Sequence, residues 1–120
     1  MQIATPMADA LGRYLDLSSL ELKLTAQNMA NVDTPGYRTE GFDFAAEMQR
    51  SLNAQDPAGG GAAVTVGPVG GLLERPDGND VSMDREGMKM AEAQLQFRTG
   101  VELLKNEFSQ VLDAIHEDTK

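Results

Sequence analysis

Between residues 84 and 118 the chain repeats every seven residues, and that repeat restricts its possible folds more than any other feature. Met90, Phe97, Leu104 and Val111 recur at the interval, and Gln94, Val101, Phe108 and Ile115 fill the interleaved positions. Apolar side chains spaced this way form one stripe on an α-helix, and the stripe needs a helical partner along its length. The spacing predicts a helix from about Asp84 to Asp118, on the order of 50 Å long. Met90, Phe97, Val101, Leu104, Phe108, Val111 and Ile115 are then the candidate core of a helical hairpin. Gln94, the one polar member, is expected to help set register. Asp84 is the expected N-cap, with Met83 and Met88 as a hydrophobic staple around it. Gly87 and Gly100 each lower helix propensity by about 1 kcal/mol relative to Ala, so packing along the stripe has to hold the helix.

The partner is at the other end of the chain. From Pro6 to Asn31 the pattern predicts a second helix of about 40 Å, with Thr5 as N-cap before a first-turn proline. Asp33, Thr34, Pro35 and Gly36 end it: Pro35 disfavours α geometry at Thr34, and Gly36 can take positive φ. Its apolar residues form two stripes. Leu11, Leu15, Leu22, Ala26 and Met29 lie together, and Leu17, Leu20 and Leu24 lie nearly opposite. One stripe suffices for a surface helix of a monomer. Two call for burial on two sides, and the second partner is expected to be another molecule, which makes Leu17, Leu20 and Leu24 candidate interface residues. The competing reading is a helix sandwiched within its own fold.

Between the helices, residues 51–80 carry Pro57, Gly59 to Gly61, Gly67, Pro68, Gly70, Gly71, Pro76 and Gly78, which is loop chemistry with at most a short strand around Val64–Val66. Pro76-Asp77-Gly78-Asn79 is a turn signature. The expected fold is all-α: a long antiparallel hairpin of N- and C-terminal helices joined by a loop-rich, partly extended middle. Its expected parts are residues 1–40, 41–80 and 81–120, together one domain.

Composition removes several functions. With 10 basic against 19 acidic residues the net charge is -9, and no basic patch exists to neutralise nucleic-acid phosphates. Cysteine is absent, so disulfides, thiolate metal sites and cysteine nucleophiles are excluded. Aromatics are scarce, with no Trp, and no aromatic-lined ligand pocket is expected. No apolar run reaches the roughly 20 residues that span a bilayer. The N-terminus lacks the basic and apolar regions of a secretory signal, so the chain is expected either to stay in the cytoplasm or to leave by a route that removes nothing.

One string is specific. Gln27-Asn28-Met29-Ala30-Asn31-Val32-Asp33-Thr34-Pro35-Gly36-Tyr37-Arg38 closes the first helix. Asn28 and Asn31 share a face at a helix end, where free carbonyls need donors. Thr34-Pro35-Gly36 makes the turn, and Tyr37 offers an aromatic body with a polar tip for an interface. The string resembles the N-terminal signature of the flagellar axial proteins of rod, hook and hook–filament junction. Asn28, Asn31, Thr34, Pro35, Gly36 and Tyr37 match its pattern. Gly41 to Met48, Asp77 to Glu86, Gln94 to Phe97 and Val101 to Leu104 resemble the proximal rod members of the basal-body rod family. Ala93 and Phe97 depart from it, standing where Asn and Tyr are common. The large domain that hook and distal rod relatives carry between the helices is missing here.

The resemblance implies a structural subunit of the proximal rod, the helical shaft that transmits motor torque. Implied partners are further copies, other rod proteins, the adaptor between rod and membrane ring, and the flagellar type III export apparatus. The implied location is the basal-body rod in the periplasm. No cofactor, metal, nucleic acid or small-molecule substrate is expected, nor any enzyme activity. His116, the only histidine, suits the dipole at a helix C-terminus. Asp77 to Glu86 lacks the alternating ligands of a calcium loop, and Glu102 and Glu107 flank Lys105 as a solvated helix face. The alternatives are a sister proximal rod subunit, or a secreted helical-hairpin effector or coiled-coil interaction protein.

Overall fold

The computed structural model describes residues 6–53 and 63–118. Helix α1 runs Pro6–Ala30, strand β1 Glu40–Gly41, helix α2 Phe44–Asn53, strand β2 Gly67–Pro68 and helix α3 Met83–Asp118. α1 and α3 form the antiparallel hairpin: Asn28 near the end of α1 lies against Glu86 at the start of α3, and Leu15 lies against Gly100. The principal extents are 70 × 26 × 18 Å, as expected of a body built on a 36-residue helix that rises about 1.5 Å per residue. Thr5, the expected N-cap of α1, lies outside the described residues, as do Pro57 and Gly59 to Gly61.

The middle segment holds more structure than its glycines suggest. Asp43 caps α2, accepting from the Ala46 amide at 3.1 Å. β1 pairs antiparallel with β2, Glu40 opposite Pro68 and Gly41 opposite Gly67, so the short strand falls just after the expected Val64–Val66. At Gly41 a Cβ would come within 2.9 Å of Val69 Cγ2; the crossing needs a bare backbone. α2 and β1 both pack on α1, and Tyr14 of α1 meets Phe44 edge-on at 5.4 Å.

This packing corrects the reading of the first helix. Leu17 is 1% exposed and Leu24 6%, while Leu20 is half-buried. The stripe expected to face neighbouring molecules is covered by its own chain, because α1 has α3 on one side and α2 with β1 on another.

The hairpin seam also differs from the expected one. On α3 the buried residues are Glu86, Ala93 and Gly100, not the large side chains of the heptad. Phe97 is 38% exposed, Phe108 50% and Ile115 49%; Met90, Val101, Leu104 and Val111 are half-buried at the seam's edge, and Gln94 is exposed. Small residues let the helices approach more closely than a Leu and Phe seam permits. A Cβ on Gly100 would lie 2.8 Å from Leu15 Cδ2 and 3.0 Å from Tyr14 Cδ1. The cap shifts as well. Ser82 Oγ accepts from the Arg85 amide at 3.3 Å, which makes Ser82 the N-cap and places Asp84 in the first turn. Met83 and Met88 are exposed, so the expected staple does not close.

Candidate assembly site and its polar anchor

The Asn-to-Tyr string ends α1 against the start of α3, where the two termini of the hairpin are tied by polar bonds. Asn28 is 1% exposed, and its amide uses all four of its hydrogen-bonding positions. Nδ2 donates to Glu86 Oε2 at 3.0 Å and to Glu40 O at 2.8 Å. Oδ1 accepts from Tyr37 Oη at 2.9 Å and from the Glu40 amide at 3.1 Å. Tyr37 therefore turns its polar tip inward instead of offering it to a partner. Burial, with the charges of Glu40, Glu86 and Asp80, holds its hydroxyl above the usual phenol range and keeps it a donor.

Glu86 is a fully buried carboxylate. Such a group is tolerable only when paired and hydrogen-bonded. Arg85 Nη1 meets Oε1 at 2.6 Å and Asn28 meets Oε2.

Asn31 stays near the surface. Its Nδ2 donates at 2.8 Å to Gln27 O, a carbonyl that also accepts from the Asn31 amide at 3.2 Å, and its Oδ1 accepts from Thr34 Oγ1 at 3.1 Å. Gly36 takes φ 75, and its amide donates to Asp77 O at 2.8 Å. Gly78, with φ 84, passes so close that a Cβ there would sit 3.3 Å from Gly36 Cα. The Thr34-Pro35-Gly36 turn and the Asp77-Gly78 turn thus lock backbone to backbone, while the Pro35 ring itself is exposed.

Two buried residues, read in the sequence only as part of a turn and of the Asp77 to Glu86 segment, complete the anchor. Asn79 Nδ2 donates to Asn31 O and Thr34 O, both at 2.9 Å. Asp80 accepts from the Thr39 amide at 2.6 Å and lies 3.7 Å from Arg38. Burial alone would raise the Asp80 carboxyl. The Thr39 amide, a weaker pull from the Thr39 hydroxyl outside hydrogen-bonding geometry, and Arg38 outweigh it and hold the group below the usual carboxylate range. The sequence signals for this pair are its place just after a turn glycine and its membership of the Asp77 to Glu86 segment; neither told that the two side chains would be buried.

Beside the anchor two open grooves of about 280 and 300 Å³ run between α1, α3 and the β1–α2 junction. Charged side chains dominate them: Glu21, Glu40, Arg85, Lys89 and Glu92. Burial lifts the Glu21 carboxyl, Lys89 pulls it back and Glu92 adds to the rise. Among the described residues no three His, Cys, Asp or Glu side chains come together to hold a metal ion, and no helix is long and apolar enough to cross a membrane.

The remaining feature is an apolar face on α3. Phe108, Leu112 and Ile115 share one side of the helix and are each about half exposed. From the pairing of Asn28 with Glu86 and Leu15 with Gly100, the start of α1 at Pro6 lies level with about residue 109, one residue being about 1.5 Å on either helix. The last turns of α3 therefore project past the described part of α1. Leu112 and Ile115 stand on that projecting part, and Phe108 at its edge.

No family model matches the chain. Curated relatives do. It is 33% identical over 127 residues to the flagellar basal body rod protein FlgB of Cereibacter sphaeroides, covering 92% of this chain and 97% of the relative. With the protein of the same name in Salmonella typhimurium it shares 29% over 119 residues, covering 84% and 86%. With that of Escherichia coli it shares 28% over the same length and shares.

Proposed function

Because the chain belongs to the family of the flagellar basal body rod protein FlgB, we propose that it is a structural subunit of the proximal rod that works by packing and carries out no reaction. The observation that supports this reading is the division of the hairpin into a tied end and an open face. The Asn28 anchor uses its polar groups internally, whereas Phe108, Leu112 and Ile115 of α3 are left about half exposed. A rod subunit needs both: a body stiff enough to pass torque, and apolar surface left for its neighbours.

We assign the contact with further copies and with other rod proteins to that α3 face, and to Phe97 along it. Leu17, Leu20 and Leu24 then serve the body of the subunit. Residues 6–40 and 81–118 act as one helical unit, with α2 and β1 bracing α1. On this reading the chain reaches the periplasmic rod through the flagellar export apparatus without a cleaved peptide, and it meets the membrane-ring adaptor there.

The test is deletion of the gene followed by imaging of basal bodies. A rod missing above an intact membrane ring, restored by the wild-type chain, is the expected result. Phe108→Asp together with Ile115→Asp should fail to restore it while the isolated subunit keeps its helix content. Normal rods in the deletion strain would overturn the function; normal rods with the double variant would overturn the assignment of the α3 face.

A further inference from the structure

The buried faces of both hairpin helices repeat every seven residues. On α1, Leu11, Ser18 and Thr25 are buried at that interval, with Leu17 and Leu24 beside them. On α3 the buried series is Glu86, Ala93 and Gly100. Sliding one helix along the other by a heptad, about 10 Å, exchanges Ser18 with Thr25, Leu17 with Leu24 and Ala93 with Gly100, like for like, and among the α1 residues only the exchange of Leu11 with Ser18 is unlike. A repeating seam does not choose its own register; a polar member that finds its partner in one alignment only does.

Gln94, the expected polar member, is exposed and cannot serve. Gly100 resists a slip, since Ala93 or Glu107 would replace it against α1, but Leu15 meets it with the far end of a flexible side chain. Asn28 and Glu86 do not repeat. One heptad from Asn28 stands Glu21, and one heptad from Glu86 stands Ala93. A slip that sets Ala93 against Asn28 parts a buried amide from a buried carboxylate, and neither recovers its partner. That slip carries Glu86 past the end of α1; the opposite one sets Glu86 against Glu21, a like charge, and leaves Asn28 facing Asn79, before the start of α3.

We propose that the Asn28–Glu86 pair, backed by Asn79 on the Asn31 and Thr34 carbonyls, is the register lock of the hairpin. It selects one of several alignments the seam would otherwise accept. Its consequence for assembly rests on the rod-subunit reading: register decides how far α3 projects beyond α1, and a one-heptad error displaces the apolar face by about 10 Å.

The chain has no cysteine, so two introduced ones can be spin-labelled cleanly. Lys23→Cys and Asp113→Cys lie at exposed positions, separated by about 30 Å along the hairpin axis. In this background the distance distribution should have a single maximum. Adding Asn28→Leu and Glu86→Leu should produce a second maximum displaced by about 10 Å, with far-ultraviolet circular dichroism still helical. A single undisplaced maximum in a helical variant would overturn the proposal, because the seam would then read register unaided. If the double substitution unfolds the chain, Asn28→Ser is measured and read in the same way. Loss of helix there too would also overturn it, since the pair would then sustain folding and not alignment. These distances are taken on the isolated subunit, so they stand or fall separately from the basal-body imaging.

Discussion

Replacing Asn28 with Ala should be among the costliest single truncations in the chain, although the side chain is small and polar. The loss is composed of unequal parts. The bond to Glu86 joins a neutral donor to a fully buried carboxylate, and a bond to a charged group contributes about 1.5–3 kcal/mol. The bonds with Tyr37 and the Glu40 backbone are part-buried. Water can reach those partners, so together they add about 1–2 kcal/mol. The expected total is about 3–5 kcal/mol, a large share of the roughly 5–15 kcal/mol by which a small domain is commonly stable. Urea unfolding followed by circular dichroism would read it as a fall in midpoint of about 2 M, taking a slope near 2 kcal/mol/M. Asn31→Ala provides the comparison. It removes the same atoms from the same motif, but from bonds at the surface, and should cost about 1 kcal/mol or less. Equal losses for the two variants would refute the view that burial of the Glu86 partner gives Asn28 its weight.

Four further outcomes are expected. Gly87 has open space around its Cα, so Gly87→Ala should stabilise the chain by about 0.5–1 kcal/mol in urea titrations; Gly100→Leu should destabilise it by about 1–3 kcal/mol, because the new side chain meets Leu15 and Tyr14. Asp80→Asn should cost about 1 kcal/mol at pH 7, where a charge-assisted bond becomes a neutral one. The Asp80 carboxyl is held below its ordinary value in the fold, so its contribution is present above the unfolded-chain pKa and lost as pH falls through the folded one; the gap between wild type and variant should close below about pH 4. Phe108→Ala should cost the isolated subunit about 1–2 kcal/mol, well under the 3–5 kcal/mol of a buried Phe, yet prevent incorporation into rods, as co-sedimentation with purified basal bodies would register.

The two long helices were legible in the sequence because periodicity is a local property. Each apolar repeat survives any choice of partner, and Pro35 and Gly36 stop α1 by backbone sterics alone. The side that each helix buries was not legible. Large apolar residues at heptad spacing pointed to a Phe97–Leu104–Phe108 seam, whereas the chain buries Ala93 and Gly100 instead. Nothing local to α3 announces that choice. It follows from the close approach that Ser18 and Gly100 permit, and from Glu86 finding Asn28 across 58 residues of sequence. Leu17 and Leu24 went inward for a similar reason: α2 and β1, drawn from a segment rich in glycine, fold back to cover them.

The Asn-to-Tyr motif shows the same division. Its order of residues identified the family and specified a helix stop, since Asn, Thr-Pro and Gly act through their own backbone preferences. That Asn28 would be the hub, Tyr37 its inward-turned donor, and Asn79 and Asp80 the far side of the clasp depended on chain segments about 40 to 58 residues apart meeting in space. The sequence by itself determined that there would be two long helices, a turn between Thr34 and Gly36, and no chemistry of thiols or basic patches. Tertiary structure alone decided which faces the helices spend on each other and which, on α3, remain free, because burial is a property of the partner as much as of the residue.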